Sequence, residues 1–185
     1  LTPWNNDPVS DPQGEAIYVR DEETGALFCP TLKPLDQRDG THLARHGFGY
    51  SAFERATGEL RLELVQTVPL NASHKLMRLR LTNLTRQSRR LSVTYYAEPV
   101  LGPNRPASAR NLVTSLDETT GAMLVRNPWS VAAGSVVMFA DMAGKQSGWT
   151  ADRREFLGSR GHLSAPAAML AQSPLSNRVG AGMDP

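Results

Sequence analysis

Apolar and polar residues alternate with a period of two along much of this chain, which is the pattern of a strand with one dry face. Leu60, Leu62 and Leu64 alternate with Glu59, Arg61 and Glu63, and a helical reading would scatter those leucines around the cylinder. Met77, Leu79 and Leu81 alternate in the same way with Arg78, Arg80 and Thr82. Leu91, Val93, Tyr95 and Ala97 do so with Ser92, Thr94 and Tyr96. Turn chemistry separates these runs. Asp21-Glu22-Glu23-Thr24-Gly25 divides an extended Glu15–Val19 from Ala26–Cys29. Thr57-Gly58 divides Tyr50–Ala56 from Glu59–Val68, and Asp117–Gly121 repeats the first device between Asn111–Leu116 and Ala122–Arg126.

The polar, basic stretch Asn83–Arg90 is expected to be a connecting turn. Ser135–Ala140, with its unbroken Val136-Val137-Met138-Phe139, reads as a strand covered on both faces. One helical stretch is expected, over Ala165–Gln172, with Ser164 as cap and Pro166 in its first turn. Eight or nine short strands against one helix predict a mainly β fold, an antiparallel β-sandwich. Residues 1–14, with three prolines, two of them in Asp-Pro steps, form a loop or arm, and residues 15–185 form the sandwich.

Composition narrows the class further. The 185 residues are 40% hydrophobic and 21% charged, which excludes collagen, coiled coil and wholesale disorder and allows a core without disulfides. Cys29 is the single cysteine and reads as an inert residue. The longest charge-free runs, Asn127–Ala140 and Leu163–Asn177, fall short of the ~20 apolar residues of a membrane helix. The chain opens on Leu1 without a signal-peptide pattern and reads as a piece cut from something longer, with any further strands left off. Arginine outnumbers lysine 17 to 3, but a net charge of +2 does not call for nucleic acid.

Several chemistries lack their residues. There is no Gly-x-Ser-x-Gly elbow, no phosphate-binding loop and no zinc set, since one Cys and four His are available. His42 and His46 lie four apart, a spacing read here as failing to put both rings on one side of a β-rich element. Two segments stand out. Arg45-His46-Gly47-Phe48-Gly49-Tyr50 gathers a cation, an imidazole and two aromatic rings around two glycines, or else forms a bulged strand entry. Trp149–Gly161 crowds Asp152, Arg153, Arg154, Glu155 and Arg160 around Phe156, as a solvated face or as a long loop presenting a binding surface.

The order of longer motifs adds a resemblance. Trp4-Asn5-Asn6-Asp7-Pro8, Gly14-Glu15-Ala16-Ile17-Tyr18, Arg45-His46-Gly47-Phe48-Gly49-Tyr50-Ser51, Arg78-Leu79-Arg80-Leu81, Tyr95-Tyr96-Ala97-Glu98, Asn127-Pro128-Trp129 and Glu155-Phe156-Leu157-Gly158 resemble, in sequence order, the cyclic β-1,2-glucan synthases and their relatives among the family-94 glycoside phosphorylases. Phe28-Cys29-Pro30 departs from an expected Trp-Ser-Pro, and Pro99 from an expected aromatic. The resemblance implies a truncated super-sandwich of the galactose-mutarotase-like type, preceding an (α/α)6 barrel that is absent from this chain and carries the general acid and phosphate-binding residues.

It further implies no catalytic residues, metal or cofactor in this chain, with inorganic phosphate as co-substrate of the parent enzyme. The partners implied are that barrel, β-glucan and a second copy in a homodimer, on the cytoplasmic face of an inner-membrane parent. Arg45, His46, Phe48, Tyr50, Asp152, Arg153, Phe156 and Arg160 are the candidates for the substrate rim or domain contacts. Two other functions compete with this one. The first is an autonomous carbohydrate-binding module stacking on Trp4, Trp129 or Trp149. The second, resting on fold analogy alone, is an epimerase-like enzyme.

Overall fold

The computed structural model describes residues 2, 3, 9, 13–159, 161–171 and 173–185. It divides into two compact units, Ala16–Tyr95 and a second built from Leu1–Glu15 with Tyr96–Pro185.

The first unit is an antiparallel sandwich. One sheet has the order β3-β4-β5-β6, from Thr41–Gly47, Tyr50–Ala56, Leu60–Thr67 and Leu76–Asn83. The other has the order β2-β1-β7, from Leu27–Phe28, Glu15–Asp21 and Leu91–Ala97. The alternation read in sequence sets the faces. Leu62 lies opposite Leu81 and Leu64 opposite Leu79, so both strands turn their leucines inward. Val19, Phe28, Leu60 and Leu62 form the core, and Leu79, Leu81, Leu91 and Val93 pack against it. Each fully buried leucine contributes roughly 1.5–3 kcal/mol relative to an exposed one. Asn83–Arg90 does turn the chain, but β6 pairs with β5 while β7 joins the other sheet, so this connection crosses between layers rather than closing a hairpin.

One inward position breaks the apolar pattern. Arg55 lies opposite Leu62 with 1% of its side chain exposed. Its guanidinium donates to Gln37 Oε1, to Asp39 Oδ1 at 2.8 Å and to the Cys29 carbonyl at 3.4 Å, and sits 5.8 Å from the Phe28 ring centroid. The loop before β3 thereby closes that end of the sandwich. Burial pushes the Cys29 thiol up to about 12 against the opposing charge of Arg55, so it stays protonated and unreactive at neutral pH.

The second unit holds a three-stranded antiparallel sheet, β10-β9-β8, from Val137–Ala140, Met123–Arg126 and Val113–Leu116. Its core gathers Leu101, Leu112, Val125 and Met138. β10 corrects the expectation of a strand covered on both faces. Only Met138 is buried, while Val136, Val137 and Phe139 are exposed on what is an edge strand. The expectation of a single helix is corrected too. Besides α3, Ala167–Ala171, there are α1, Arg105–Ser108, and α2, Arg153–Leu157. Both are too short to show an apolar stripe in sequence, and both start on polar caps: Asn104 accepts from the Ala107 N–H and Asp152 from those of Arg154 and Glu155.

Candidate functional site

The sequence candidates fall into two groups, one in each unit. Arg45, His46, Phe48 and Tyr50 lie in and around the β3–β4 hairpin. The hairpin runs in unbroken register to the Gly47–Tyr50 pair, so its loop is just Phe48 and Gly49, with Gly49 at φ +76° and no bulge. Phe48 is fully exposed at the tip. The two histidines correct the sequence reading, because residues four apart in a strand share a face: His42 lies opposite Arg55 and His46 opposite Ser51, on the same face of the sheet, with His46 exposed near the hairpin end. Strand rise keeps them about 13 Å apart, too far to share an ion. His46 Nδ1 lies 2.9 Å from the Ser51 hydroxyl, and its ring meets Phe53 edge-on at 5.8 Å. No group of three metal-ligating side chains occurs among the described residues.

Tyr50 points to the outer face, where Gly47 explains its pose. A methyl group built on Gly47 would lie 2.2 Å from Tyr50 Cε1 and 2.6 Å from Cζ, so the ring lies directly over the glycine. Its other side remains open, with 46% of the residue exposed. Register places Thr67 opposite Tyr50 and Leu76 opposite Thr67. The next row across the sheet is Arg45, Ala52, Val65 and Arg78, and the one after that is Leu43, Glu54, Glu63 and Arg80. Glu54 and Glu63 face each other directly, a repulsive pairing relieved by cations on both sides. Arg45 Nη2 is 3.5 Å and Arg61 Nε 3.6 Å from Glu54, and Arg80 is 3.9 Å from Glu63.

The second group centres on a carboxylate that the sequence reading left without a role. Glu98 Oε1 accepts the Tyr96 hydroxyl at 2.5 Å and Arg153 Nε at 3.0 Å. Its Oε2 lies 3.2 Å from Arg105 Nε, while Arg105 Nη2 donates to Asp184 at 2.6 Å. Burial and the Glu98 contact push the Tyr96 phenol upward, so it remains a donor. Phe156 is buried and stacked on Tyr96 at 5.3 Å with ring planes 17° apart, which withdraws it from any exposed sugar-stacking role. Asp152 caps α2 and meets Arg178 at 3.7 Å. Arg160 and Trp4 lie outside the described residues. The pairing of Glu98 with Arg153 escaped notice because about 55 residues separate them, and nothing local signals so distant a contact.

The segment 176–185 is laced onto this group. The Ser176 N–H and hydroxyl donate to Glu155, which also accepts from Thr150. Trp149 Nε1 donates to the Asn177 carbonyl, and the Arg153 N–H to that of Asp184. Burial alone would raise the Glu155 carboxyl, but the hydrogen bonds from Ser176 and Thr150 outweigh it and hold the group below its ordinary value.

Against this geometry, the profile of the glycosyl hydrolase 94 supersandwich domain matches residues 1–185. The chain belongs to that family. It is 38% identical over 176 residues to a protein named cyclic beta-(1,2)-glucan synthase NdvB from Rhizobium meliloti (strain 1021), covering 95% of this chain. The chain spans only 6% of that relative's length. The supersandwich assignment agrees with the antiparallel sheets described above and with the resemblance read from the motifs.

Proposed function

We propose that this chain is a non-catalytic, carbohydrate-associated β-sandwich domain of a larger enzyme, similar to cyclic β-1,2-glucan synthase, that acts on β-glucans by phosphorolysis. Inorganic phosphate is the co-substrate and an (α/α)6 barrel elsewhere in the parent carries the chemistry. The family match over the whole chain supports the parentage. The observation that carries the non-catalytic role is how the carboxylates of the 149–161 loop are used. A general acid must hold its proton near neutral pH, which calls for a raised carboxyl. Glu155 is shifted the other way, and Asp152 is committed to a helix cap. The loop is thus built to hold a shape, and its outward groups suit a contact with the barrel or with a second copy.

The test is to incubate linear β-1,2-glucan and inorganic phosphate with the parent enzyme and, separately, with this chain. Sugar phosphate is expected from the parent alone, and its release by the chain would overturn the proposal. Trp129, 79% exposed, favours the second reading of an autonomous sugar-binding module, whereas the Trp149 indole is already bonded to Asn177. Saturable quenching of tryptophan fluorescence by the same glucan, abolished in Trp129→Ala, would establish that module instead.

A further inference from the structure

The outer face of the β3-β4-β5-β6 sheet carries a shallow trough between two unlike walls, and we infer that it is a binding subsite for a stretch of neutral β-glucan, with Tyr50 as its stacking platform. The inference rests on the proposal that the parent handles β-glucans and goes beyond it by naming where such a chain is held. Ala52 and Val65 floor the trough, with Arg45 and Arg78 at its two ends. One wall is the row Tyr50, Thr67 and Leu76; the other is Glu54, Glu63 and Arg80, with Arg61 beside Glu54. Four strands at ~4.8 Å spacing make the trough about 14 Å long, and wall side chains four apart along a strand lie roughly 13 Å from each other.

A pyranose is amphipathic in the same sense as this trough. Its C–H face seeks an aromatic plane, and its hydroxyls seek paired donors and acceptors. Tyr50 offers the plane, and the Arg45–Glu54–Arg61 group offers donors flanking an acceptor within 3.6 Å. Glu54 and Glu63 are each salt-bridged to arginines, so this wall offers acceptors as well as donors, as a run of sugar hydroxyls requires.

Gly47 supplies a second, independent observation. Its missing side chain lets the Tyr50 ring lie down over the backbone at a distance that excludes a Cβ, which fixes one face of the ring and leaves the other open. An aromatic ring held in place before binding loses little conformational entropy on contact, which is how such residues come to dominate recognition.

The experiment is native electrophoresis of the purified protein through gels containing linear β-1,2-glucan, with glucan-free gels as reference and a thermal melt to verify folding. Retardation by the glucan is expected, weakened at least about tenfold in Tyr50→Ala and largely kept in Tyr50→Phe. Gly47→Ala, which keeps the ring but displaces it, is expected to weaken binding as Tyr50→Ala does. Trp129→Ala is expected to bind as the parent sequence does. Unchanged retardation in a folded Tyr50→Ala protein would overturn the inference, as would a wild-type protein that migrates freely. Phosphate-dependent turnover of the glucan by the parent is scored separately. Turnover without retardation removes the subsite but not the enzyme assignment, and retardation without turnover does the reverse.

Discussion

The chain builds one loop twice, once in each unit, and the two copies differ chiefly in what lies beyond them. Asp21-Glu22-Glu23-Thr24-Gly25 and Asp117-Glu118-Thr119-Thr120-Gly121 close the β1–β2 and β8–β9 hairpins with the same bonds. The glycine N–H donates to the aspartate carbonyl at 2.8 and 2.7 Å, and the aspartate N–H to the following alanine carbonyl at 2.9 Å in both. The threonine N–H donates to the aspartate carboxylate at 3.0 and 2.9 Å, and both glycines sit at φ +75°. Yet Asp21 is 1% exposed, and its second oxygen accepts from Arg89, which also holds Glu59 at 2.8 Å. No cation pairs with Asp117 among the described contacts, and its side chain bonds only within its own turn. The same local chemistry is thus a self-contained turn in one place and a tertiary anchor in the other.

Replacing both aspartates separately by alanine gives the sharpest contrast. Asp21→Ala strips a buried guanidinium of one partner as well as removing two backbone acceptor contacts, and is expected to cost about 3 kcal/mol. Asp117→Ala removes only the turn bonds and should shift the urea midpoint far less. Comparable midpoint shifts for the two variants would show that Arg89 adds nothing to the loop.

Acid probes the anchored loop more mildly, although the Asp117 carboxyl is held below its ordinary value too, chiefly by the Thr120 hydroxyl. The Thr24 N–H, chiefly, lowers the Asp21 carboxyl, against the opposing effect of burial, with the Glu23 N–H, the Thr24 hydroxyl and Arg89 adding to the lowering. A carboxyl depressed on folding contributes stability that is present above its unfolded pKa of 3.8 and disappears as the pH falls through its lower folded value. Stability should therefore drop below about pH 4, and the drop should be shallower in Asp21→Asn, whose amide does not titrate. Glu22 is shifted the same way, chiefly by the Ser92 hydroxyl, so some acid sensitivity should persist in that variant. A pH profile identical to wild type would detach Asp21 from the effect.

These two loops also mark how far the sequence could be read. The turn itself was legible, because Asp, Thr and Gly at fixed offsets dictate their own bonds. So were the leucine faces of β5 and β6, whose periodicity is local. Arg89 reaching back 68 residues to Asp21 was not, nor was Arg55 turned inward to meet Gln37 and Asp39, since alternation alone does not say which charged residue the core will accept. The candidate site divides in the same way. The hairpin that carries Arg45, His46, Phe48 and Tyr50 is contiguous in sequence and was singled out there, although the ring over Gly47 was not foreseen. Glu98 and Arg105 come from one stretch and Arg153 from another, and they meet only in the fold.

The smallest effect should be the one the two loops share. Gly25→Ala and Gly121→Ala each force a Cβ into the left-handed region at the same φ, at a local cost of about 1 kcal/mol. At Gly121 the added carbon would also fall 2.7 Å from Gln146 Nε2, which donates to the Gly121 carbonyl at 2.5 Å, so the amide must give way and that hydrogen bond is lost or weakened. The two substitutions should accordingly share the backbone cost, with Gly121→Ala losing about 1 kcal/mol more by urea denaturation for the Gln146 bond, the reverse of the order expected for the two aspartate variants. If Gly25→Ala proved much the more damaging, the strain would be reaching the Arg89 anchor through the backbone, and turn and anchor would be one cooperative element rather than two separable ones.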